Sequence, residues 1–125
     1  MDLLTLERRA VAAIAAITVL TGASQMAAAG LLLAWIAPSP SPTAAHLFAT
    51  VGMFMLLFGA ATLHAQRRRE ALALVLLWGC LQKLLASVLV AWGVGRGVFV
   101  PLALLVAAFD FASGLLYWDL RRREA

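Results

Sequence analysis

The segment that decides the fold is residues 71–120, which read ALALVLLWGCLQKLLASVLVAW (71–92), GVGRG (93–97) and VFVPLALLVAAFDFASGLLYWDL (98–120). Each apolar run is long enough to cross a hydrocarbon layer of roughly 30 Å as a helix. The glycine-rich stretch between the two runs has the composition of a short, flexible turn. The segment therefore predicts an antiparallel hairpin of two membrane-spanning helices.

Two charged residues, Lys83 and Asp110, lie near the middle of these apolar runs. They are almost equally far along the chain from Arg96 in the turn, so the hairpin brings them to the same depth. Inserting Lys or Asp at a helix centre costs roughly 2.5–3.5 kcal/mol each, and pairing offsets much of that cost. We therefore predict that they are partners. Two interpretations stay open: a structural ion pair that fixes helix register, or a site where a substrate, ion or proton engages either residue.

The rest of the chain is also strongly apolar. Hydrophobic residues make up 64% of the 125 residues and charged residues 13%, which leaves more apolar surface than a soluble domain of this size can bury. The proline-rich loop 37–43 separates two further runs, with Thr43 as the expected N-cap of the second. The first run continues to Trp35 and is expected to be retained rather than cleaved as a signal peptide.

These patterns predict an all-α integral membrane protein with a single transmembrane domain. Four transmembrane helices in an up-down-up-down bundle satisfy every backbone amide inside the segments. The predicted domain covers residues 1–125, and the spans are about 10–36, 46–65, 71–92 and 98–120.

Arginines mark one side of the predicted bundle. Eight of the ten Lys and Arg residues flank the spans on that side, Arg96 alone lies on the other, and Lys83 lies within the membrane. Because positive residues in short connections stay in the cytoplasm, both termini are expected there, in a bacterial inner (plasma) membrane with an anionic cytoplasmic leaflet as partner. The basic residues cluster at span ends rather than along one face, so nucleic acid is not an expected partner.

Polar residues share faces of three predicted helices, which indicates a polar interior. Thr18, Thr21 and Gln25 share a face in the first span, and Gln25 is expected within a turn or two of the depth of the charged pair. The residues expected to form a ligand-binding or proton-coupled site are Asp110, Lys83, Gln25, Gln82, Ser113, Tyr117 and Thr21.

No metal site and no cofactor are predicted. His46 and His64 lie at opposite ends of the second span, about 27 Å apart by helical rise, and cannot share a metal. His46 is instead a candidate hydrogen-bonding residue at the outer mouth of the bundle. The single cysteine, Cys80, excludes an intrachain disulfide and a cysteine metal cage.

The chain has a family resemblance that rests on short apolar helices with arginine-rich ends and on three local pairs of residues. These pairs are Gln82-Lys83, Phe109-Asp110 and Ser113-Gly114. In this pattern it resembles bacterial four-helix membrane proteins of the DoxX-like kind. The resemblance implies a four-helix membrane fold, and no activity is transferred from it. Small multidrug-resistance transporters and fluoride channels have a similar size, but their motifs do not match.

Three functions are compatible with this pattern. The first is binding or transport of a small or lipophilic molecule anchored by Asp110 and Lys83, which predicts a cavity at mid-depth. The second is a non-catalytic accessory or structural subunit of a larger membrane complex, which predicts a tightly packed interior. The third is a membrane-embedded enzyme acting on a lipid or quinone, which a single carboxylate supports poorly. The first is favoured, and a homodimer or another membrane-protein partner is left open.

Overall fold

The computed structural model describes residues 1–124 and contains helices but no strands over that range. The helices are α1 (Leu3–Ala27), α2 (Ala29–Ile36), α3 (Pro42–Arg68), α4 (Leu72–Gly95) and α5 (Ala103–Glu124). The four long helices are apolar enough and long enough to cross a membrane. Large apolar side chains such as Leu20, Val88 and Leu105 point outward, which suits contact with lipid. The predicted all-α bundle is confirmed, and the protein is a multi-pass membrane protein.

The first predicted span, residues 10–36, is two helices rather than one. α1 begins early because the Asp2 carboxylate accepts a hydrogen bond from the Thr5 amide at 2.7 Å and caps the helix. This bond holds the pKa of the Asp2 carboxyl below its usual value. α1 ends where the backbone of Ala28 leaves the helical region, with φ −138° and ψ 45°. Hydropathy cannot detect this break, because the alanines around it are both apolar and favourable to helix.

α3 begins at Pro42, before the predicted start of the second span at His46. The hydroxyl of Ser41 accepts a hydrogen bond from the Ala44 amide at 3.1 Å. Pro42 takes the first helical position, where a missing amide hydrogen costs no helical bond. Ser41 is therefore the N-cap, and the prediction of Thr43 in that role was wrong.

α5 begins at Ala103 rather than at the predicted Val98. Pro101 has no amide hydrogen, which favours the start of a helix just after the turn rather than a helix running through it. The amides of Val98 and Phe99 donate instead to the carbonyl of Gly93, at 2.9 and 3.2 Å, and close the end of α4. The fourth span is therefore shorter than the apolar run in the sequence.

The four long helices pack as two close pairs, α1 with α3 and α4 with α5. In the first pair, Gly22 faces the backbone of Gly52, and Gly59 faces the backbone of Ala15. Small residues at such positions let two membrane helices approach to backbone contact. The contacts between the pairs, along α1 with α5 and α3 with α4, are less extensive.

Ion pairs fasten the helix ends together at one end of the bundle. The Glu124 carboxylate of α5 pairs with Arg8 of α1 and with Arg69 at the end of α3. The Glu7 carboxylate lies 3.0 Å from Arg123. This end, which we call the arginine-rich end, carries the arginines of residues 8–9, 67–69 and 121–123.

An apolar core fills the half of the bundle nearer to the arginine-rich end. All four long helices contribute to it, and its buried members are Val11, Ile14, Ala65, Leu72, Leu76, Cys80, Tyr117 and Leu120. Along each helix these residues lie between the terminal arginines and the level of Lys83 and Asp110. The core therefore separates the charged pair from the arginine-rich end.

Candidate functional site

Lys83 and Asp110 form an ion pair across the hairpin of α4 and α5. The Lys83 Nζ lies 3.6 Å from the Asp110 Oδ1, and both residues are buried. The pairing predicted from their positions around the turn is confirmed. The two side chains differ in access, because 3% of the Lys83 side chain is exposed and 12% of the Asp110 side chain. The carboxylate is therefore the partner that another molecule can reach.

Thr18 of α1 gives Lys83 a second polar contact. Its hydroxyl oxygen accepts a hydrogen bond from the Lys83 Nζ at 3.0 Å and donates its own hydrogen to the Ile14 carbonyl at 2.8 Å. The Nζ also lies 5.8 and 5.7 Å from the ring centroids of Phe109 and Tyr117, within the range of a cation–π interaction. These contacts replace much of the hydration that the ammonium loses on burial.

A cavity of about 240 Å³ lies beside the Asp110 carboxylate. It sits at the seam between α1 and α5, with one wall from α3, and we call it the lateral cavity. Its lining residues are Ile17, Thr18, Thr21, Met55, Leu105, Val106, Phe109 and Asp110. Because Leu105 and Val106 are themselves exposed on the outer surface, the cavity opens sideways toward the bilayer. It combines an apolar wall with one carboxyl and two hydroxyl groups.

Three further residues of the predicted site lie near the pair. Thr21 lines the lateral cavity, while Ser113 and Tyr117 are buried on the face of α5 that carries Asp110. The Tyr117 ring packs against Gly79 of α4. Ser113 and Tyr117 therefore contribute to the interior of the hairpin and not to the lining of the cavity.

Gln25 forms its hydrogen bond with α3 and does not line the lateral cavity, so its place in the site stays a prediction. Its side-chain amide donates to the Phe48 carbonyl at 3.1 Å and joins α1 to α3. The residue of α1 that hydrogen-bonds to Lys83 is Thr18. Thr18 lies seven residues before Gln25, about 10 Å away along the same helical face. The polar face predicted for α1 therefore contacts Lys83 through Thr18.

Gln82 and His46 do not line the lateral cavity. Gln82 is half-buried on α4, one residue from Lys83, where helical geometry turns it to a different face. His46 is exposed in the first turns of α3, at the end opposite the arginines. Within residues 1–124, no three His, Cys, Asp or Glu side chains come together as a metal-binding group.

Thr18 and Phe109 are residues of this site that sequence reasoning did not select. The signal for Thr18 was its position on the same stripe as Thr21 and Gln25. The signal for Phe109 was its place beside Asp110, which was noted only as part of the family resemblance; Phe109 contacts Lys83 and lines the lateral cavity. An aromatic next to an intramembrane charge is therefore worth testing as a cation partner.

Replacing Thr18 with Val is expected to lower the free energy of unfolding in detergent by about 1.5 kcal/mol or more, since hydrogen bonds to charged groups contribute about 1.5–3 kcal/mol. The substitution keeps the shape of the side chain and removes the acceptor for Lys83. Thr50→Val is the matched control, because Thr50 is exposed and its hydroxyl donates only to the His46 carbonyl of its own helix. Equal losses in the two variants, measured by denaturant titration, would contradict a role for the Thr18 hydroxyl.

No family model, no curated protein and no solved structure matches this chain. The resemblance to DoxX-like proteins therefore stays at the level of overall pattern and assigns no residue.

Proposed function

We propose that the protein binds a lipophilic molecule, which enters the lateral cavity from the bilayer and donates a hydrogen bond to Asp110. The observation that supports this proposal is that one carboxyl group, that of Asp110, both pairs with Lys83 and lines the lateral cavity. Asp110 pairs with Lys83 on its inner side and lines the lateral cavity on its outer side. A purely structural ion pair has no need of such an opening, because burial by packing would suffice.

The polar groups define what a ligand must offer. A carboxylate only accepts hydrogen bonds, so the complementary group is a hydroxyl, a phenol or an amine. Lys83 holds one oxygen of Asp110, the Oδ1, and leaves the carboxylate with further acceptor capacity. The hydroxyls of Thr18 and Thr21 add weaker polar contacts to the same cavity. The ligand therefore has one polar donor on an otherwise apolar body.

The size of the cavity suits a ring. A dry cavity of about 150 Å³ holds a benzene molecule, and the lateral cavity measures about 240 Å³. Met55, Leu105, Val106 and Phe109 supply apolar walls. A substituted ring fits these walls, and a longer apolar tail would extend through the opening into the lipid.

The route to the site favours molecules already dissolved in the membrane. The apolar core fills the bundle between the charged pair and the arginine-rich end, which excludes a continuous aqueous path from that end in this conformation. Entry along the seam of α1 and α5 is open by comparison. Transport of the ligand would require a second conformation, so binding is the simpler function.

The proposed setting is the inner membrane of a bacterium, with both chain ends in the cytoplasm. Eight arginines lie at the arginine-rich end, and only Arg96 lies at the other. This asymmetry is the usual determinant of orientation for short connections.

A photoreactive alkylphenol and its methyl ether, which lacks the donor, test the proposal directly. In the wild-type protein in nanodiscs, the phenol is expected to label Ile17, Leu105 and Phe109, and the ether to label them about tenfold less. The hydrogen bond at stake is worth about 1.5–3 kcal/mol, and about 1.4 kcal/mol corresponds to a tenfold change. Asp110→Asn is expected to remove the preference for the phenol.

Two tryptophan variants control for nonspecific partitioning of the probes. Val106→Trp fills the lateral cavity, leaves both charged residues in place and is expected to abolish the labelling. Leu85→Trp adds the same ring to an exposed position of α4 and is expected to have no effect. Labelling spread evenly along all exposed helices, or equal labelling by phenol and ether, would reject the proposal and favour an accessory subunit.

A further inference from the structure

We infer that the protein has a second, separate site at its arginine-rich end, a groove between α1 and α3 that binds a phosphate group. The groove has a volume of about 200 Å³ and is lined by Thr5, Arg8, Arg9, Ala12, Gln66 and Arg69. It shares no residue with the lateral cavity. The inference of a phosphate site is therefore independent of the proposed lipophilic ligand.

The groove is assembled by helical spacing and by one cross-helix bond. Thr5, Arg8, Arg9 and Ala12 follow the i, i+3, i+4, i+7 pattern and so share one face of α1. The side-chain amide of Gln66 donates to the Arg8 carbonyl at 3.1 Å and fixes the end of α3 against that face.

The arginines of the groove already converge on an anion of the chain itself. Arg8 and Arg69, from separate elements, both bind the carboxylate of Glu124, whose side chain is only 5% exposed. Their own side chains are 42% and 48% exposed, so each guanidinium keeps donors that face outward. With Arg9 added, three positive charges meet one negative charge, which leaves an excess of positive charge in the groove.

The three arginines of α5 are engaged within the protein. Arg121 donates to the Ala73 carbonyl at 3.1 Å, and Arg122 lies 2.7 Å from Asp119. Arg123 is shared between Asp119 and Glu7. Within residues 1–124, Arg9, Arg67 and Arg68 form no ion pair, and of these three only Arg9 lines the groove. Uncompensated charge on α1 is therefore concentrated beside the groove.

The chemistry of the lining points to phosphate. Guanidinium groups match phosphate oxygens with paired, charge-assisted hydrogen bonds, and Thr5 and Gln66 can donate to the same oxygens. The groove lies at the end of a helix that is long and apolar enough to cross a membrane, which is where lipid headgroups are expected. An anionic phospholipid and a free phosphate ion share this chemistry, and competition between them distinguishes the two sources.

The experiment uses the 125-residue protein in phosphatidylcholine nanodiscs that contain some phosphatidylglycerol. Native mass spectrometry counts the phosphatidylglycerol molecules that stay bound. Arg9→Gln is expected to lower retention about tenfold, because it removes a charge within a defined groove. Arg122→Gln removes the same charge at the same end, outside the groove, and is expected to change retention no more than about twofold. Arg9 has no ion-pair partner to lose within the described chain, so the variant is expected to fold normally, and its thermal midpoint checks this.

Addition of millimolar inorganic phosphate shows whether the groove binds the phosphate of a lipid headgroup or a free phosphate ion. Retention that persists in phosphate supports a lipid headgroup, and displacement by phosphate supports a soluble phosphate ligand at the same groove. Equal losses in Arg9→Gln and Arg122→Gln would overturn the inference, because they would show general attraction to the basic end and no built site.

Discussion

Replacing Lys83 with Met is expected to destabilise the protein more than any other single substitution at mid-depth, by about 3–5 kcal/mol if the carboxylate stays charged. The substitution keeps the apolar stem and removes the ammonium that faces Asp110 at 3.6 Å. It leaves a buried carboxylate without its counter-ion, which is the usual cause of large losses when one member of a buried pair is removed. Asp110→Asn, the reverse single change, leaves the ammonium with Thr18 and two aromatic rings.

The double variant Lys83→Met with Asp110→Asn isolates the interaction between the two residues. It is expected to recover at least about 1.5 kcal/mol relative to the sum of the single losses, a coupling typical of residues in one polar network. Gln82→Met on the same helix is the control, because Gln82 is half-buried and lies outside the site. Thermal and denaturant unfolding in detergent measure the wild-type protein and the four variants.

Additive losses, with no recovery in the double variant, would contradict an energetic partnership between Lys83 and Asp110. Full recovery of stability without recovery of phenol labelling would separate the two roles of Asp110. In that outcome the carboxylate matters more to the ligand than to the fold, as the proposed function requires.

The hairpin of α4 and α5 could be predicted from the sequence because its geometry depends on one turn. Lys83 and Asp110 are almost equally far along the chain from Arg96, and an antiparallel hairpin brings residues with that spacing to similar depths. Their residue types then supply the reason to pair. The four apolar runs and the clustering of the arginines at one end followed from composition in the same way.

The placement of α1 against that hairpin could not be predicted from spacing. Thr18 and Gln25 lie on the same stripe, and which of them reaches Lys83 depends on how far α1 slides along its neighbours. That offset is set by contacts between helices, such as the meeting of Gly22 with Gly52. The break at Ala28 escaped prediction because alanines are favourable inside a helix.

The uneven packing of the bundle explains why the lateral cavity lies where it does. α1 and α3 are held together by backbone contact, and α4 and α5 by a short turn and an ion pair. The seam between α1 and α5 has fewer contacts along its length and is fastened mainly at the arginine-rich end, where Arg8 meets Glu124 and Glu7 meets Arg123. A cavity at mid-depth in this seam can accept a ligand without separating either close pair.

Alanine substitution is expected to lower the stability of the protein at a glycine packed between α1 and α3, and to leave it unchanged or raise it at a glycine with free space around it. In Gly22→Ala, the new Cβ would press on the Gly52 carbonyl oxygen and the Leu56 amide nitrogen, which are backbone atoms. The helices must then part, and overpacking of this kind costs about 1–3 kcal/mol. In Gly30→Ala, the new Cβ meets nothing within 4 Å, so the gain in helix propensity, up to about 1 kcal/mol, is the main effect.

Unfolding of the two variants in the same detergent provides the comparison, with stability lowered for Gly22→Ala and unchanged or raised for Gly30→Ala. The same parting of helices carries a second consequence, because Thr21 and Met55 are sequence neighbours of the contact and line the lateral cavity. Gly22→Ala is therefore expected to weaken phenol labelling as well, although it touches no polar group of the site. If the Gly22→Ala protein has wild-type stability and labelling, α1 and α3 do not pack through their backbones. The position of Thr21 and Met55 in the cavity wall would then not depend on that contact.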